Sequence, residues 1–559
     1  MPLTWRGGAY PSVPEAFSTM NLVGFDPRGV GSSLPLIRCE SAAAFQAYRE
    51  GGETLTVEEK NEVEKYDADQ CFQNTAKDFN GISSKDFIQN VGTINTARDI
   101  DVLRSVLNQQ KMTYFGASYG SVLGYQYASL FPHNVRALVI DGIENQFWNN
   151  PDELAKHTAY IPADATNDHG VAQAQELERT FRLFLSYCLK NGDQCPFTSS
   201  DDPVSGEPTD QQIDRAYAEY QELTRQAFGG KTYGSESFDI SVTERAVSFS
   251  DIRRGTMAAL YNTSQWKYLM WGLQDMKLRN NPAWLLILSD GYYDLPVRDG
   301  YYLGFQAAFE TITCVDRGVS SSDDDASEET VAPWMSAGTN ADGTPREVSA
   351  TTSRCAEMNL RPTLPAVSSL PDGVNVLVLS TAYDFATPYW QGVIAADAAS
   401  APLVIVSGST HVASTAKTCA SNLTSEFLSD PSSFKQKLAA NQFTSAKYTG
   451  QSGQNTKDIY SHPVIGSECQ LYNFGAVQTN PSSTTSPSTT PSSTVSPSEE
   501  AAVKPQTTES LSQSAVSIQS AALAKSGANV TALLSSVVLL GVLGSGVLLI
   551  RRRRMSAHE

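Results

Sequence analysis

The chain has 559 residues, 41 Lys+Arg against 60 Asp+Glu, a formal net charge of −19 at pH 7 and 41% hydrophobic residues. That is enough apolar content for a large core, and an acidic balance with no basic stripe argues against nucleic acid as a partner. The sequence holds no Walker loop, dinucleotide G-x-G-x-x-G or histidine cluster, so it calls for no cofactor and no metal.

In chain order, the first strand-like run is Asn21-Leu22-Val23-Gly24-Phe25, followed by Asp26-Pro27-Arg28-Gly29. Pro27 and Gly29 fix that turn beneath a site, and we assign it a structural role. Met112-Thr113-Tyr114-Phe115 reads as a short strand, and Val122 to Leu130 carries small and apolar residues at helical spacing. Between them lies Gly116-Ala117-Ser118-Tyr119-Gly120, a G-x-S-x-G nucleophile elbow. Its glycines permit a tight turn that lifts the Ser118 hydroxyl clear of the sheet edge and aims the Tyr119 N–H at an oxyanion.

A strand over Ala137 to Ile140 ends at Asp141-Gly142, and from there to about Pro371 simple strand-helix alternation breaks down. Helices are expected near Val171 to Leu189 and Gln211 to Gln226, with a polar loop at Ser320 to Glu329 and aromatic clusters at Tyr292-Tyr293 and Tyr301-Tyr302. This stretch reads as a cap over the elbow, where specificity is encoded. Glu144, Asp290, Asp294 and Asp316 are acidic positions that could meet a substrate amine, and the sequence singles out none of them.

The run Val374 to Leu379 opens into Ser380-Thr381-Ala382-Tyr383-Asp384, and Pro402 to Val406 is a strand whose small-residue turn ends at His411. Of the 6 histidines, His133 is too close to the elbow helix, His157 and His169 precede any later strand, His462 follows none and His558 is in the tail. Ser118, Asp384 and His411 thus fall in the order serine, acid, base. Asp141 competes as the acid, but Asp-Gly after a strand usually marks a turn.

Taken together, Asn21 to Ser32, the elbow with Phe131-Pro132 and Val139-Ile140-Asp141-Gly142, Thr313-Cys314-Val315-Asp316, and Asp384-x-x-Thr387-Pro388 with His411 resemble the secreted tripeptidyl aminopeptidase-like (TAP-like) group of α/β-hydrolases, relatives of the proline iminopeptidases. The resemblance runs from about Asn21 to about Cys469. It implies an α/β-hydrolase fold, with a mostly parallel sheet, helices on both faces and a large, mainly helical inserted cap. It also implies an aminopeptidase that releases tripeptides or proline-containing peptides through an acyl-enzyme. Ser118 would be the nucleophile, His411 the base, Asp384 the acid and the Tyr119 N–H an oxyanion donor. A carboxylesterase of the same fold, or a catalytically impaired surface-binding protein, are the alternatives. The group also carries a GGPG-like loop that completes the oxyanion hole. Met1 to Met20 does not contain it, so the first strands of the sheet and half of the hole are expected to be missing. Loss of one such donor costs roughly a hundred- to a thousand-fold in rate.

The eight cysteines, Cys39, Cys71, Cys188, Cys195, Cys314, Cys355, Cys419 and Cys469, are even in number and form no C-x-x-C pair. Pairing of neighbours along the chain is the simplest connectivity, and it places the protein in an oxidising compartment. After about Gln478 the sequence turns to Ser, Thr and Pro, a stalk that cannot bury a core. Leu523-Ala524-Lys525-Ser526-Gly527 follows, then an apolar run expected to form a transmembrane helix at about 530–550, then Arg551 to Arg554 as a cytoplasmic stop. This tail resembles an LPxTG-type sorting signal, with Ala524 and Ser526 where proline and threonine are usual. It implies sortase cleavage between Ser526 and Gly527 and transfer to cell-wall peptidoglycan, with a plain membrane anchor as the alternative. The expected organisation is hydrolase core at 1–145 and 366–475, cap at 146–365, stalk at 476–522 and sorting signal at 523–559, on the surface of a Gram-positive-type bacterium.

Overall fold

Four short runs rich in β-branched and aromatic residues build the centre of the sheet: β2 (Met112–Ala117), β3 (Val135–Asp141), β4 (Val376–Thr381) and β5 (Pro402–Val406). Their burial is near-continuous rather than alternating, as required of parallel strands covered on both faces. The computed structural model describes residues 15–144, 169–228, 246–293, 305–318, 331–335, 353–365, 373–440, 469–474 and 547–551, with a few isolated positions between them. The sheet is completed by β1 (Met20–Gly24), β6 (Cys469–Asn473) and β7 (Val547–Arg551), in the order β1-β7-β2-β3-β4-β5-β6. Strands β2 to β5 are mutually parallel, and β6 runs antiparallel to β5.

Register decides where the chemistry falls. Ala117 pairs with Asp141, Asp141 with Leu379 and Thr381 with Val406, so the carboxyl ends of the four strands are level. The loops that follow them emerge at one edge, where ligands of open α/β sheets bind. One face of the sheet is covered by α4 (Thr93–Val106), α5 (Tyr119–Leu130) and α13 (Tyr389–Ala398) through Ile100, Tyr125 and Trp390. The other is covered by α15 (Thr418–Ser429) and α16 (Pro431–Ala439) through Phe427 and Phe434.

The insertion between β3 and β4 forms two apolar clusters. The cap proper comprises α6 (His169–Lys190), α7 (Asp210–Arg225), α8 (Phe249–Leu260), α9 (Trp266–Arg279) and α10 (Ala283–Tyr293). Its core centres on Phe181, stacked on Trp334 at 4.6 Å and edge-on to Tyr220 at 4.7 Å. The helices expected near Val171–Leu189 and Gln211–Gln226 are α6 and α7. The second cluster joins α11 (Phe305–Arg317) and α12 (Arg354–Met358) to α2 (Val57–Asn74) and α3 (Ser84–Gln89), which precede the elbow. Two disulfides, Cys39–Cys71 and Cys314–Cys355, lie within it. With Cys188–Cys195 and Cys419–Cys469, all four bonds follow the neighbour pairing.

One expectation is corrected. The apolar run assigned to a transmembrane helix at about 530–550 does not end as a helix, since Val547–Arg551 is strand β7. It pairs antiparallel with β1 (Leu22 with Leu549) and with β2 (Tyr114 with Leu548). Two neighbouring strands with open backbone donors and acceptors accept an apolar, partly β-branched segment readily. Among the described residues no helix is long and apolar enough to cross a membrane. Residues 530–546, the stalk, Leu523 to Gly527, His157, His462, His558, Asp294 and the Ser320 to Glu329 loop lie outside the described residues.

Candidate active site

Ser118 stands between β2 and α5 at φ 53°, ψ −126°, a conformation that L-residues rarely adopt. Close packing holds it there. A Cβ on Gly116 would sit 2.2 Å from the Gly120 carbonyl oxygen and 2.5 Å from the Tyr114 ring, so the elbow requires glycine at that point. The Ser118 N–H donates to the Asp141 carbonyl at 2.9 Å, and the Ser121 hydroxyl donates to the Ser118 carbonyl at 2.5 Å. Tyr119 opens α5, where backbone N–H groups have no partner within the helix, so its N–H is free for a developing oxyanion.

The loops after β4 and β5 bring Asp384 and His411 together. Asp384 Oδ2 lies 2.7 Å from His411 Nδ1, and both side chains are buried. A carboxylate can only accept, so the imidazole proton is on Nδ1 and Nε2 carries the free lone pair. His411 Nε2 is buried and has no hydrogen-bond partner among the described residues, so the contact to the serine is not closed in this arrangement. Catalytic hydrogen bonds commonly tighten only when substrate binds. Burial alone would lower the pKa of His411, but the Asp384 carboxylate, with Asp141 and Glu144 behind it, raises it overall. Asp384 is itself fixed: its Oδ1 accepts the N–H groups of Ala386 (3.0 Å) and Thr387 (3.1 Å), and its Oδ2 accepts the Thr387 hydroxyl at 2.8 Å.

Asp141, the competing acid, takes another place. Its carboxylate accepts the N–H groups of Ala413 (2.7 Å) and Ser414 (2.8 Å), which open the short helix α14 (Ala413–Ala416) after His411. Between them and the histidine lies Val412 at φ 73°, a buried β-branched residue in the left-handed region. Gly142, which follows Asp141, faces the imidazole so closely that a Cβ on it would be 3.1 Å from His411 Cε1. Ser118 and His411 therefore both border the Asp141-Gly142 turn.

Of the acidic positions weighed for a substrate amine, Glu144 is paired with Arg317, and Asp290 pairs with Arg49 at 2.9 Å. Asp316 accepts the N–H (2.9 Å) and hydroxyl (2.6 Å) of Thr93 and the Tyr119 phenol. Burial raises the pKa of Tyr119 well above the phenol's ordinary value, so it stays protonated and donates. Burial likewise raises Asp316, against the bonds from Thr93 and Tyr119. The Asp26-Pro27-Arg28-Gly29 turn is structural as expected, with Arg28 forked onto Asp99 at 2.5 and 2.7 Å. Thr387, Val412 and the Asp316 anchor of Tyr119 were not singled out from the sequence. Only the Asp-x-x-Thr spacing signalled the first.

Among the described residues no group of acidic, histidine or cysteine side chains could hold a metal ion. A serine on a strained strand-to-helix turn, beside a histidine oriented by a buried carboxylate, is equipped for nucleophilic acyl transfer. Fold and comparisons define a serine hydrolase of the α/β fold. Residues 5–179 match the family model described as alpha/beta hydrolase fold, and residues 344–437 that of the TAP-like proteins. The chain is 31% identical over 398 residues to carboxylesterase B of Mycobacterium tuberculosis (strain ATCC 25618 / H37Rv), covering 70% of this chain and 68% of the relative. To serine protease Hip1 of the same strain it is 30% identical over 417 residues, covering 72% and 71%. To tripeptidyl aminopeptidase of Streptomyces lividans it is 37% identical over 147 residues, 26% and 25%. The chain belongs to the TAP-like group of the α/β-hydrolase family.

Proposed function

We propose that this hydrolase is an aminopeptidase that releases short peptides, tripeptides or proline-containing ones, from peptide amino termini through an acyl-enzyme. Ser118 attacks the scissile carbonyl, His411 Nε2 takes its proton and later gives it to the leaving amine, and Asp384 holds the Nδ1–H tautomer. The Tyr119 N–H binds the oxyanion. The observation that carries this reading is the 2.7 Å His411–Asp384 contact at the same sheet edge as the strained Ser118. Kinship with a tripeptidyl aminopeptidase and a serine protease supports peptide substrates.

The 31% identity to a carboxylesterase favours a second reading, since the same triad cleaves esters. The full chain assayed on tripeptidyl and prolyl amides against short-chain esters, with Ser118→Ala as control, separates the two. Turnover of amides that disappears in Ser118→Ala supports the peptidase, turnover of esters alone supports the esterase, and turnover unaffected by Ser118→Ala rejects both. We further propose that the protein acts at the cell surface. Four disulfides support an oxidising compartment, and the Leu523-Ala524-Lys525-Ser526-Gly527 tail supports sortase transfer to peptidoglycan, which would take strand β7 out of the sheet with the released tail. Mass spectrometry of protein from a sortase-competent host tests this. A product that still carries Gly527 to Glu559 rejects the transfer.

A further inference from the structure

The acid and base loops are held from above as well as from below. On the sheet side the Ala382 N–H donates to the Val406 carbonyl (2.9 Å), and the Tyr383 N–H to that of Gly408 (2.9 Å). The outward-facing carbonyls of the acid loop go to the cap: Tyr383 C=O accepts the Thr180 hydroxyl at 3.1 Å, and Ala386 C=O accepts Gln173 Nε2 at 2.6 Å. Both donors are on α6. The base loop is held in the same way, by its backbone. The His411 N–H donates to the carbonyl of Tyr261, the residue that follows α8, at 2.8 Å, and the Thr410 and Thr263 hydroxyls share a hydrogen bond at 3.2 Å.

Packing follows the hydrogen bonds. Phe385 and Ala386, which follow the acid, belong to the apolar core of the cap and not to that of the sheet. The Tyr261 ring lies edge-on to Phe385 at 4.6 Å and to the His411 imidazole at 5.6 Å. A cap that only covered the site would touch these loops through side chains alone. Here it satisfies their buried main-chain groups, and an unsatisfied buried carbonyl carries a penalty large enough to let the loop shift.

We infer that the cap is part of the catalytic alignment: Thr180, Gln173 and Tyr261 are positioning residues that set the Asp384–His411 geometry. This rests on the triad reading above. A displaced carboxylate raises the imidazole pKa less, so loosening the clamp lowers both turnover and the acidic pKa of the pH profile, effects that a loss of substrate contacts alone would not produce.

The test uses the full chain carrying Thr180→Val, which keeps shape and removes the donor, Gln173→Leu, and Thr180→Ser, which restores the hydroxyl. Thr180→Val and Gln173→Leu are expected to lower kcat roughly tenfold with KM within about twofold, to slow fluorophosphonate labelling of Ser118 in proportion, and to shift the acidic limb of kcat/KM to lower pH. Thr180→Ser is expected to recover most of the kcat and the limb. Thr263→Ala, on an exposed cap turn, carries the same readouts if a buried variant fails to fold. Unchanged kcat, labelling rate and pH limb in the folded variants would overturn the clamp while Ser118→Ala stays inactive. Labelling and turnover that persist in Ser118→Ala would instead overturn the triad assignment, and the clamp with it.

Discussion

Replacing Asp384 by asparagine keeps the size of the side chain and removes its charge, and the structure dictates how the amide must sit. Oδ1 faces two fixed main-chain donors, the N–H groups of Ala386 and Thr387. An amide nitrogen placed there would leave both donors unpaired, at about 1–3 kcal/mol each. The carbonyl therefore keeps the Oδ1 position and the NH2 group turns to His411 Nδ1, which lies 2.7 Å from Oδ2. A donor facing Nδ1 is tolerated only if that nitrogen is unprotonated. The imidazole proton moves to Nε2, the atom that must accept the Ser118 proton. The expected loss is about 10³–10⁴ in kcat, or roughly 4–5.5 kcal/mol of barrier. Stability should change little, because every main-chain donor keeps its acceptor. Asp384→Ala instead strands both N–H groups and should lower stability by about 2–4 kcal/mol as well as activity. The assay is kcat/KM on a tripeptidyl anilide from pH 6 to 9, with thermal unfolding of each variant. An asparagine variant that retains more than about a tenth of wild-type kcat would refute the tautomer reasoning.

Three further outcomes follow from the geometry. Glu40, pushed up to about 8 by burial and by Asp67, is protonated in the folded protein at neutral pH, whereas an unfolded glutamate ionises near 4.5. Its stabilising contribution is therefore fully present below that unfolded value and lost as pH rises through about 8. The thermal midpoint should fall between pH 5 and pH 9, and Glu40→Gln should flatten the fall; a steeper fall would contradict the assignment. Gly142→Ala puts a Cβ 3.1 Å from both Thr387 Oγ1 and His411 Cε1 at φ 62°, so activity should drop about tenfold with a loss of about 1–2 kcal/mol, read by kcat and denaturant midpoint. Removing the Cys314–Cys355 bond, whose cysteines are 41 residues apart, with paired serine substitutions should cost about 4 kcal/mol by the loop-entropy relation, measured by urea unfolding. An unchanged midpoint would deny that bond a stabilising role.

The parts of the fold legible in the sequence were those written in short-range signals. The strand before the elbow, the Gly-rich turn, the helices at 169–190 and 210–225, and the Asp384 and His411 loops each rest on the periodicity or turn chemistry of a few consecutive residues. What escaped depends on pairings across the chain. The anchor between the Tyr119 phenol and Asp316 spans 197 residues, and the buried Arg49–Asp251 pair spans 202. Arg354 reaches Asp67 at 2.8 Å and Glu310 at 2.6 Å, tying α12 to both α2 and α11, yet each residue alone reads as a solvated charge. The misread end of the apolar tail has a related cause, because hydropathy reports that a segment will be buried and not whether a bilayer or a sheet will bury it.

Asp141 explains how two strained residues can persist side by side. Ser118 and Val412 both hold positive φ, at a cost of about 1–3 kcal/mol each, and neither conformation is local in origin. The backbone carbonyl of Asp141 takes the Ser118 N–H, while its carboxylate takes the two N–H groups just after Val412. One buried residue thus fixes the elbow with its main chain and the base loop with its side chain, and the relative placement of Ser118 and His411 reduces to the rigidity of a single strand end. The Asp141 carboxylate faces the Ala413 and Ser414 N–H groups, not the imidazole N–H. The carboxylate that meets the imidazole Nδ1 is that of Asp384, carried by the loop after the neighbouring strand β4.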